Sequence, residues 1–253
     1  MVKWATSYYV QPSVILKWVN HLQQLKKENK LSNDLWITCS DDFASWGGAD
    51  ASYKTQDLEE LINAVDYVSM HTYPYHNSHY NPNFWKTPVE EKILSDTEKI
   101  DKAMHRSFEF AKIQYHTVKN YVRSINPSKP IHIGETGWSS SSDGFYGSEG
   151  SKASDEYKQS LYYNHMREWT NKEGISCFFF EAFDEPWKDS GNPFGSENHF
   201  GIFTGDGKAK HVLWNSVDKK VFENLNRSKK TISKTFNGNK DELMKTVLVP
   251  PSH

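Results

Sequence analysis

The chain has 253 residues, and its 30 basic side chains nearly balance its 32 acidic ones, which leaves a net charge of −2. This length is enough for one well-buried core and is close to that of an eight-stranded α/β barrel. Because no long basic or acidic block occurs, the sequence favours neither nucleic acid nor an anionic membrane as a partner. No stretch is long and apolar enough to span a membrane, and no signal-peptide pattern is visible.

Aromatic residues make up 14% of the chain, with nine tryptophans and thirteen tyrosines. Such a composition is typical of a large aromatic core, but flat apolar sugar faces also stack on these rings. The two cysteines, Cys39 and Cys177, each lie in a short apolar run. We therefore expect two buried thiols rather than a disulfide or a metal site.

Four short apolar runs predict strands that are buried on both faces, as in a parallel sheet. In chain order these runs are Leu35–Cys39, Tyr67–His71, Ile131–Gly134 and Ser176–Phe180. Helical periodicity precedes the first run and follows each of the four. The helices are expected to begin at Pro12, after Asp57, at a capping box of Ser95 and Glu98, near Ser154, and at Val212, the last ending at Leu225.

This alternation predicts a parallel sheet with helices packed outside it. The loops that follow the strands, notably residues 139–153 and 189–199, are longer than the returns into the next strand. That asymmetry is typical of a barrel whose site lies at the carboxyl ends of its strands. Residues 1–225 are expected to form this domain, and residues 226–253 a polar, loosely attached tail.

A carboxylate follows the third predicted strand directly, in the segment from Ile133 to Trp138 (IGETGW). Barrel enzymes carry catalytic groups at this position, and the glycine on each side of Glu135 lets the backbone approach a ligand closely. Trp138 is a candidate wall of a sugar subsite. The alternative is a structural Glu135 that caps the next loop or pairs with a lysine.

The fourth predicted strand leads into residues 180–188 (FEAFDEPWK), which hold three carboxylates and a lysine. Such a cluster is suited to orienting sugar hydroxyls and to tuning a neighbouring carboxylate. The alternative is a solvated loop with local ion pairs. The flanking rings of Phe183 and Trp187 argue against that alternative.

The second predicted strand ends at His71 and is followed closely by Tyr73 and Tyr75, whose rings are candidates for stacking on a glycan or hydrogen bonding to it. His71, His76 and His79 raise a metal site as an alternative. No carboxylate or cysteine completes a recognisable ligand set, so we expect no metal. We expect His71 to hydrogen-bond the backbone instead.

The segments IGETGW, FEAFDEPWK and ENHFGIF, taken together and in this order, resemble family 17 of the glycoside hydrolases, the β-1,3-glucanases. The chain is more similar to the bacterial and fungal branch than to the plant branch, and the resemblance extends from the first residues to about Asn215. It implies a retaining hydrolase that cleaves β-1,3-glucan by double displacement. It also implies that no metal or organic cofactor takes part.

The resemblance further implies a (β/α)8 barrel with its acid/base glutamate after strand four and its nucleophile after strand seven. Glu135 corresponds to the nucleophile. Glu185, Lys188 and Glu197 correspond to an acidic and basic cluster around the cleaved sugar, and Tyr73 to an aromatic residue of strand six. With the aromatic residues noted above, the expected substrate-binding set is Tyr73, Tyr75, Trp138, Glu185, Trp187, Lys188 and Glu197.

The chain departs from this family at the acid/base residue, because the Gly-Asn-Glu segment that carries it does not occur in the sequence. Residues 1–4 resemble the stretch directly after that glutamate. The four predicted strands then correspond to strands five to eight, with an N-terminal half-barrel elsewhere or with self-association through open edges. Without a general acid, we expect this chain alone to be inactive on laminarin.

Two other functions stay open beside hydrolysis. A glucanosyltransferase would hand the glycosyl unit to another glucan instead of water. An inactive fragment would at most bind glucan. The sequence does not separate endo from exo action.

Overall fold

The computed structural model describes residues 10–227 and 229–253, so the expectation for residues 1–4 lies outside the described residues. The described chain divides into two compact units. The first holds the residues up to Thr72 together with Lys112–Glu135 and Gly174–Phe178. The second holds Tyr73–Ala111, Thr136–Glu173 and Phe179–His253.

Most of a four-stranded sheet lies in the first unit. Its strands follow chain order, β1 (Ser40–Asp42), β2 (Val68–His71), β3 (Ile131–Thr136) and β4 (Cys177–Phe179). Strands β1 and β2 pair in parallel, and so do β2 and β3. Val68, Met70 and Ile133 are fully buried. The predicted α/β class with a parallel sheet is thereby confirmed.

Two amphipathic helices, α1 (Pro12–Lys27) and α2 (Gln56–Ala64), complete the core of the first unit. As predicted, Pro12 occupies the first position of its helix, where its missing N–H has no intrahelical partner to lose. Thr55 caps α2 by accepting a hydrogen bond from the Leu58 amide. The helices pack against each other, and their buried side chains are Leu16, Val19, Leu58, Leu61 and Ile62.

The first strand begins five residues later than predicted, because the apolar run Leu35–Cys39 does not join the ladder. Trp36 is 72% exposed, so this run is not buried on both faces. The Asp66 carboxylate accepts a 2.5 Å hydrogen bond from the Ile37 amide. The Asp66 side chain therefore binds the Ile37 amide, while the Asp66 amide donates to the Ile37 carbonyl at 2.8 Å, and regular pairing starts only at Ser40.

The second unit is mainly helical, with α3 (Pro74–Tyr80), the N-terminal part of α4 (Asp96–Ile125), α5 (Glu156–Glu173), α6 (Trp214–Asp218) and α7 (Lys240–Met244). The predicted capping box of α4 is confirmed. The Ser95 amide donates to a Glu98 carboxylate oxygen at 2.9 Å, and the Glu98 amide donates to Ser95 Oγ at 3.4 Å. Helix α3 was not predicted, because its seven residues are mostly polar.

Two expectations for the C-terminal region are wrong. The helix predicted from Val212 to Leu225 is reduced to α6, because Lys220 and Asn224 adopt positive φ angles of 56° and 67° that end helical geometry. Residues 226–253 are not a loose tail but part of the second unit. They contain the short hairpin of β5 (Asn226–Arg227) and β6 (Lys230–Thr231), and α7 buries Leu243 completely.

The structure also tests several smaller predictions. Neither Cys39 nor Cys177 forms a disulfide, as expected, although both are half-buried rather than buried. Residues 139–153 and 189–199 are loops with short 3-10 turns. Among the described residues, no helix is long and apolar enough to cross a membrane.

Asp66 gives a test of the first unit. Partial burial raises its pKa, but the hydrogen bonds from the Ile37 amide and Gln23, with the charge of Lys26, outweigh that effect and leave the pKa below its ordinary value. Asp66→Ala is expected to lower the free energy of unfolding by about 1–3 kcal/mol in urea denaturation at pH 7. The difference from the wild type should shrink as the pH falls through the Asp66 pKa, since protonation removes the same interactions.

The matched control for this prediction is Asp34→Ala, which removes an exposed carboxylate directly before the run Leu35–Cys39. This change should leave the unfolding midpoint unchanged. Equal stabilities for Asp66→Ala and the wild type would contradict the role given to Asp66.

Candidate active site

An irregularity in the sheet sets the position of Glu135. Met70 on β2 pairs with Ile133 on β3, but the next residue, His71, pairs with Glu135. Gly134 is therefore an extra residue, and a bulge of this kind turns the following side chain away from simple alternation. The predicted location of Glu135 at the carboxyl end of a parallel strand is confirmed, and its side chain is 40% exposed.

Position 134 has no room for a side chain unless the neighbouring serine side chains move. A Cβ atom placed there would lie 2.1 Å from Ser69 Oγ and 2.6 Å from Ser40 Oγ, far inside normal contact distances. The two hydroxyls occupy the space that a side chain would need. The glycine before Glu135 thus serves packing within the sheet, in addition to any approach of backbone to ligand.

The same two serines begin a chain of polar contacts that ends at Glu135. Ser69 Oγ lies 2.8 Å from Ser40 Oγ, which lies 2.6 Å from His71 Nε2. On the other side of the imidazole, Nδ1 lies 3.6 Å from Glu135 Oε2. When Ser40 donates to Nε2, the ring proton is on Nδ1 and points toward the carboxylate.

Among residues 10–227 and 229–253, the His71 ring contacts side chains on the two neighbouring strands and makes no hydrogen bond to the backbone, which differs from the role expected from the sequence. Burial lowers the pKa of His71, and the negative charges of Glu135 and Asp41 oppose that effect. The imidazole is thus neutral at pH 7 and lies beside the Glu135 carboxylate without neutralising its charge. Ser40 and Ser69 had no recognisable signal in the sequence, since their roles depend on strand register.

The other two histidines considered for a metal site, His76 and His79, each contact an aromatic residue. His76 Nδ1 lies 3.1 Å from the Tyr146 hydroxyl, and burial lowers the pKa of His76 to about 4. His79 stacks on Phe145 with ring centroids 4.3 Å apart. Within the described ranges, no group of three or more histidine, cysteine, aspartate or glutamate side chains is placed to hold a metal ion.

Two aromatic residues expected to bind sugar are structural instead. Tyr75 and Trp138 are both fully buried. The Tyr75 hydroxyl lies 2.7 Å from Ser154 Oγ, and the Trp138 indole donates to the Ala153 carbonyl at 2.8 Å. Their rings pack against each other, so neither presents a face to a ligand. The sequence could not distinguish core from subsite here, since both call for large rings.

Tyr73 is only half-buried, with its ring edge-on to Phe200 at 5.9 Å. Trp187 is 65% exposed, and Glu197 is exposed on the short 3-10 turn Ser196–Asn198. These three residues lie in the second unit, whereas Glu135 and His71 lie in the first.

The acidic segment after β4 also lies in the second unit. Glu185 Oε2 is 3.8 Å from Lys188 Nζ, and that ammonium lies over the Phe180 ring at 3.9 Å from its centroid. Glu181 was not among the predicted site residues, although its motif was noted. Burial raises its pKa to about 8, with Lys188 opposing the shift and Glu185 adding to it. Glu181 Oε1 is buried and has no hydrogen-bond partner among the described residues.

This arrangement keeps Glu181 protonated at neutral pH, where it offers an O–H donor, while Lys188 offers a cation. Neutral and charged donors beside a carboxylate acceptor are what a polyhydroxylated ligand needs. The local ion pair of Glu185 and Lys188 agrees with the alternative of a solvated loop, whereas the buried Glu181 Oε1 does not.

A family model agrees with these observations. The model of the BtgE/BtgC glycoside hydrolase domain matches residues 6–201 of this chain.

Three known proteins give a finer comparison. The chain is similar to an endo-laminarinase from Formosa Hel1_33_131, with 61% identity and a TM-score of 0.96, over 100% of this chain and 64% of that one. A curated glucan 1,3-beta-glucosidase from Arthroderma benhamiae is 39% identical over 36% of this chain and 30% of its own length. The structure of a β-1,3-glucanosyltransferase from Rhizomucor miehei is 17% identical, with a TM-score of 0.53, and covers 81% of this chain and 58% of that one. The last likeness concerns the fold alone. The chain spans less than two thirds of each of these proteins.

The contact between His71 and Glu135 can be tested without measuring catalysis. Glu135→Gln removes the negative charge that raises the His71 pKa, so that pKa is expected to fall further below its ordinary value. An NMR titration of the imidazole nitrogens would measure it. Glu60→Gln, an exposed change on α2, should leave the titration unchanged. An unchanged or raised His71 pKa in Glu135→Gln would contradict the geometry described here.

Proposed function

Because the chain belongs to the BtgE/BtgC glycoside hydrolase domain family, we propose that it is the nucleophile-bearing part of a retaining hydrolase of β-1,3-glucan. The observation that carries this proposal is Glu135 at the bulged end of β3, 40% exposed and facing His71 Nδ1 at 3.6 Å. A carboxylate in this position is open to a ligand and lies next to a polar ring. The names of the similar laminarinase and glucosidase support β-1,3-glucan as the substrate.

In the proposed reaction, a Glu135 carboxylate oxygen attacks the anomeric carbon while the bond to the leaving sugar oxygen breaks. The product is a glycosyl ester, which water then hydrolyses. We assign to His71, whose Nδ1 lies 3.6 Å from Glu135 Oε2, the role of limiting the orientations of the attacking carboxylate. A general acid must protonate the leaving oxygen in the first step, and we assign no residue of this chain to that role, since no Gly-Asn-Glu segment occurs in it.

We assign substrate contacts to residues of the second unit that remain accessible. Glu185 and Lys188 supply an acceptor and a donor for sugar hydroxyls, and Glu197 supplies a second acceptor. Trp187, at 65% exposure, offers a ring on which a glucose face can stack. We also assign a substrate contact to Tyr73, but none to Tyr75 and Trp138, because both are fully buried.

We also propose that the four strands correspond to strands five to eight of a (β/α)8 barrel. Support comes from a continuous row of rings in the first unit, two of them on β3 and β4 and two on the segments that lead into β1 and β2. The successive centroid distances from Trp36 to Tyr67, to His132 and to Phe178 are 5.8, 6.0 and 4.7 Å. Trp36 and Phe178 are 72% and 67% exposed. Large rings on the inner face of a strand are typical of a closed barrel, where other strands cover them.

The proposed nucleophile can be tested by trapping. A dinitrophenyl 2-fluoro-laminaribioside needs no proton on its leaving group, so a missing general acid does not prevent glycosylation. We expect mass spectrometry of peptides to find one covalent sugar on Glu135 and none on the Glu135→Gln variant, because an amide is a very poor nucleophile.

Glu173→Gln, at an exposed carboxylate at the end of α5, is the matched control and should be labelled like the wild type. A label on Glu181 or Glu185, a labelled Glu135→Gln variant, or a wild-type chain that takes no label would each refute the assignment of Glu135.

A further inference from the structure

The segment that carries Glu185 and Lys188 has no regular secondary structure of its own. Its first part is held by backbone hydrogen bonds to residues 200–203, since Ile202 donates to the Glu181 carbonyl and Asp184 to the Phe203 carbonyl, both at 2.9 Å. Beyond Asp184, the main backbone bond is a local one from Lys188 to the Glu185 carbonyl. Residues 185–188 therefore depend on side-chain contacts at their two ends, at Asp184 and at Asp189, whose amide donates to Asn198 Oδ1 at 2.8 Å.

A buried lysine from a later part of the chain binds the side chain of Asp184, the residue at which the backbone hydrogen bonds to residues 200–203 end. Lys210 Nζ donates to Asp184 Oδ1 at 2.6 Å, to Ser140 Oγ at 2.6 Å and to the His199 carbonyl at 3.3 Å. Its three protons thus have three acceptors. The Lys210 side chain is 2% exposed, and Asp184 is 12% exposed.

Asp184 is shared by two donors, because its Oδ1 also accepts the Gly201 amide at 3.0 Å. Ser140 lies on the loop after β3, Asp184 on the segment after β4, and His199 at the end of the loop 189–199. One ammonium therefore joins three segments of the second unit that have no helix or strand in common.

A pair like this contributes little net stability, because removing two charges from water costs about as much as their attraction returns. A well-packed apolar pair would hold the fold equally well. The advantage of the ionic pair is directional, since short hydrogen bonds fix the position of Asp184 more closely than apolar contacts do.

We propose that Lys210 is a positioning residue, which through Asp184 and Ser140 holds the segment 181–188 in the conformation that binds β-1,3-glucan. The proposal rests on the proposed function for the identity of the ligand. It does not rest on that function for the restraint itself, which can be observed in the absence of sugar.

The test compares Lys210→Met, Asp184→Asn and the double variant with the wild type. Lys210→Met removes the ammonium beside the buried Asp184 carboxylate, which keeps only the Gly201 amide and the His199 ring at 3.8 Å, and is expected to lower the melting temperature by roughly 10 °C. In the double variant both charges are gone, so most of that loss should be recovered. Lys208→Met, two residues away and exposed, is the control and should behave as the wild type in every measurement.

Two readouts separate positioning from stability. Hydrogen exchange should be faster in residues 181–188 of the double variant than in the wild type, although the two melt at similar temperatures. The dissociation constant of laminarihexaose, measured by calorimetry, should be about tenfold higher or more for the double variant. If the double variant regains not only the melting temperature but also the exchange rate and the affinity of the wild type, Lys210 has only a structural role and the proposal is overturned.

Failure of the proposed function gives a different result. If neither the wild type nor any variant binds laminarihexaose, the substrate assignment is wrong, while faster exchange in the double variant would still establish the restraint. Wild-type binding together with unchanged exchange in the double variant would overturn the positioning role alone.

Discussion

One extra residue in β3 is the constraint on which the proposed chemistry of this chain depends. Without the bulge at Gly134, strict alternation would place Glu135 one position out of step with His71. With it, the carboxylate faces an imidazole whose other nitrogen is fixed by Ser40. The bulge in turn favours glycine, because the Ser40 and Ser69 hydroxyls fill the space of a side chain. The position of the carboxylate thus follows from packing inside the sheet.

In the second unit, the charged groups lie on residues 181–188, a segment without regular secondary structure. Asp184 and Lys210 are buried as a pair, while Glu185 and Lys188 nearby stay partly exposed. The carboxyl group of Glu181 is partly buried, and its raised pKa follows from this burial and from the neighbouring carboxylate of Glu185. Buried charges restrain the segment, and exposed ones are left for a ligand.

Much of the architecture could be predicted from local patterns. The apolar runs at β2, β3 and β4, the first helical position of Pro12 and the capping box at Ser95 each depend on a few neighbouring residues. The error at Leu35–Cys39 had a tertiary cause, since Asp66 lies 29 positions from Ile37 and binds its amide. The C-terminal region was misjudged because isolated apolar residues such as Leu243 give no periodicity, although a single buried leucine can anchor a short helix.

The candidate site was predictable only in part, for the same reason. Glu135 could be placed because it directly follows an apolar strand. Its partners His71, Ser40 and Ser69 come from two other strands, and their approach depends on register that no short motif encodes. Tyr75 and Trp138 were misassigned because an aromatic ring next to a strand end serves a core as readily as a subsite. Lys210 carries no local signal at all.

The proposed reaction requires that Glu135 meet the anomeric carbon of a β-1,3-glucan. A crystal structure of the Glu135→Gln variant with laminarihexaose would show whether it does, since the amide keeps the size of the carboxylate but does not attack. We expect an anomeric carbon within roughly 3–3.5 Å of the side-chain amide at position 135, which is the distance of a near-attack geometry. A well-ordered sugar with no anomeric carbon near that side chain would show that Glu135 is not the nucleophile.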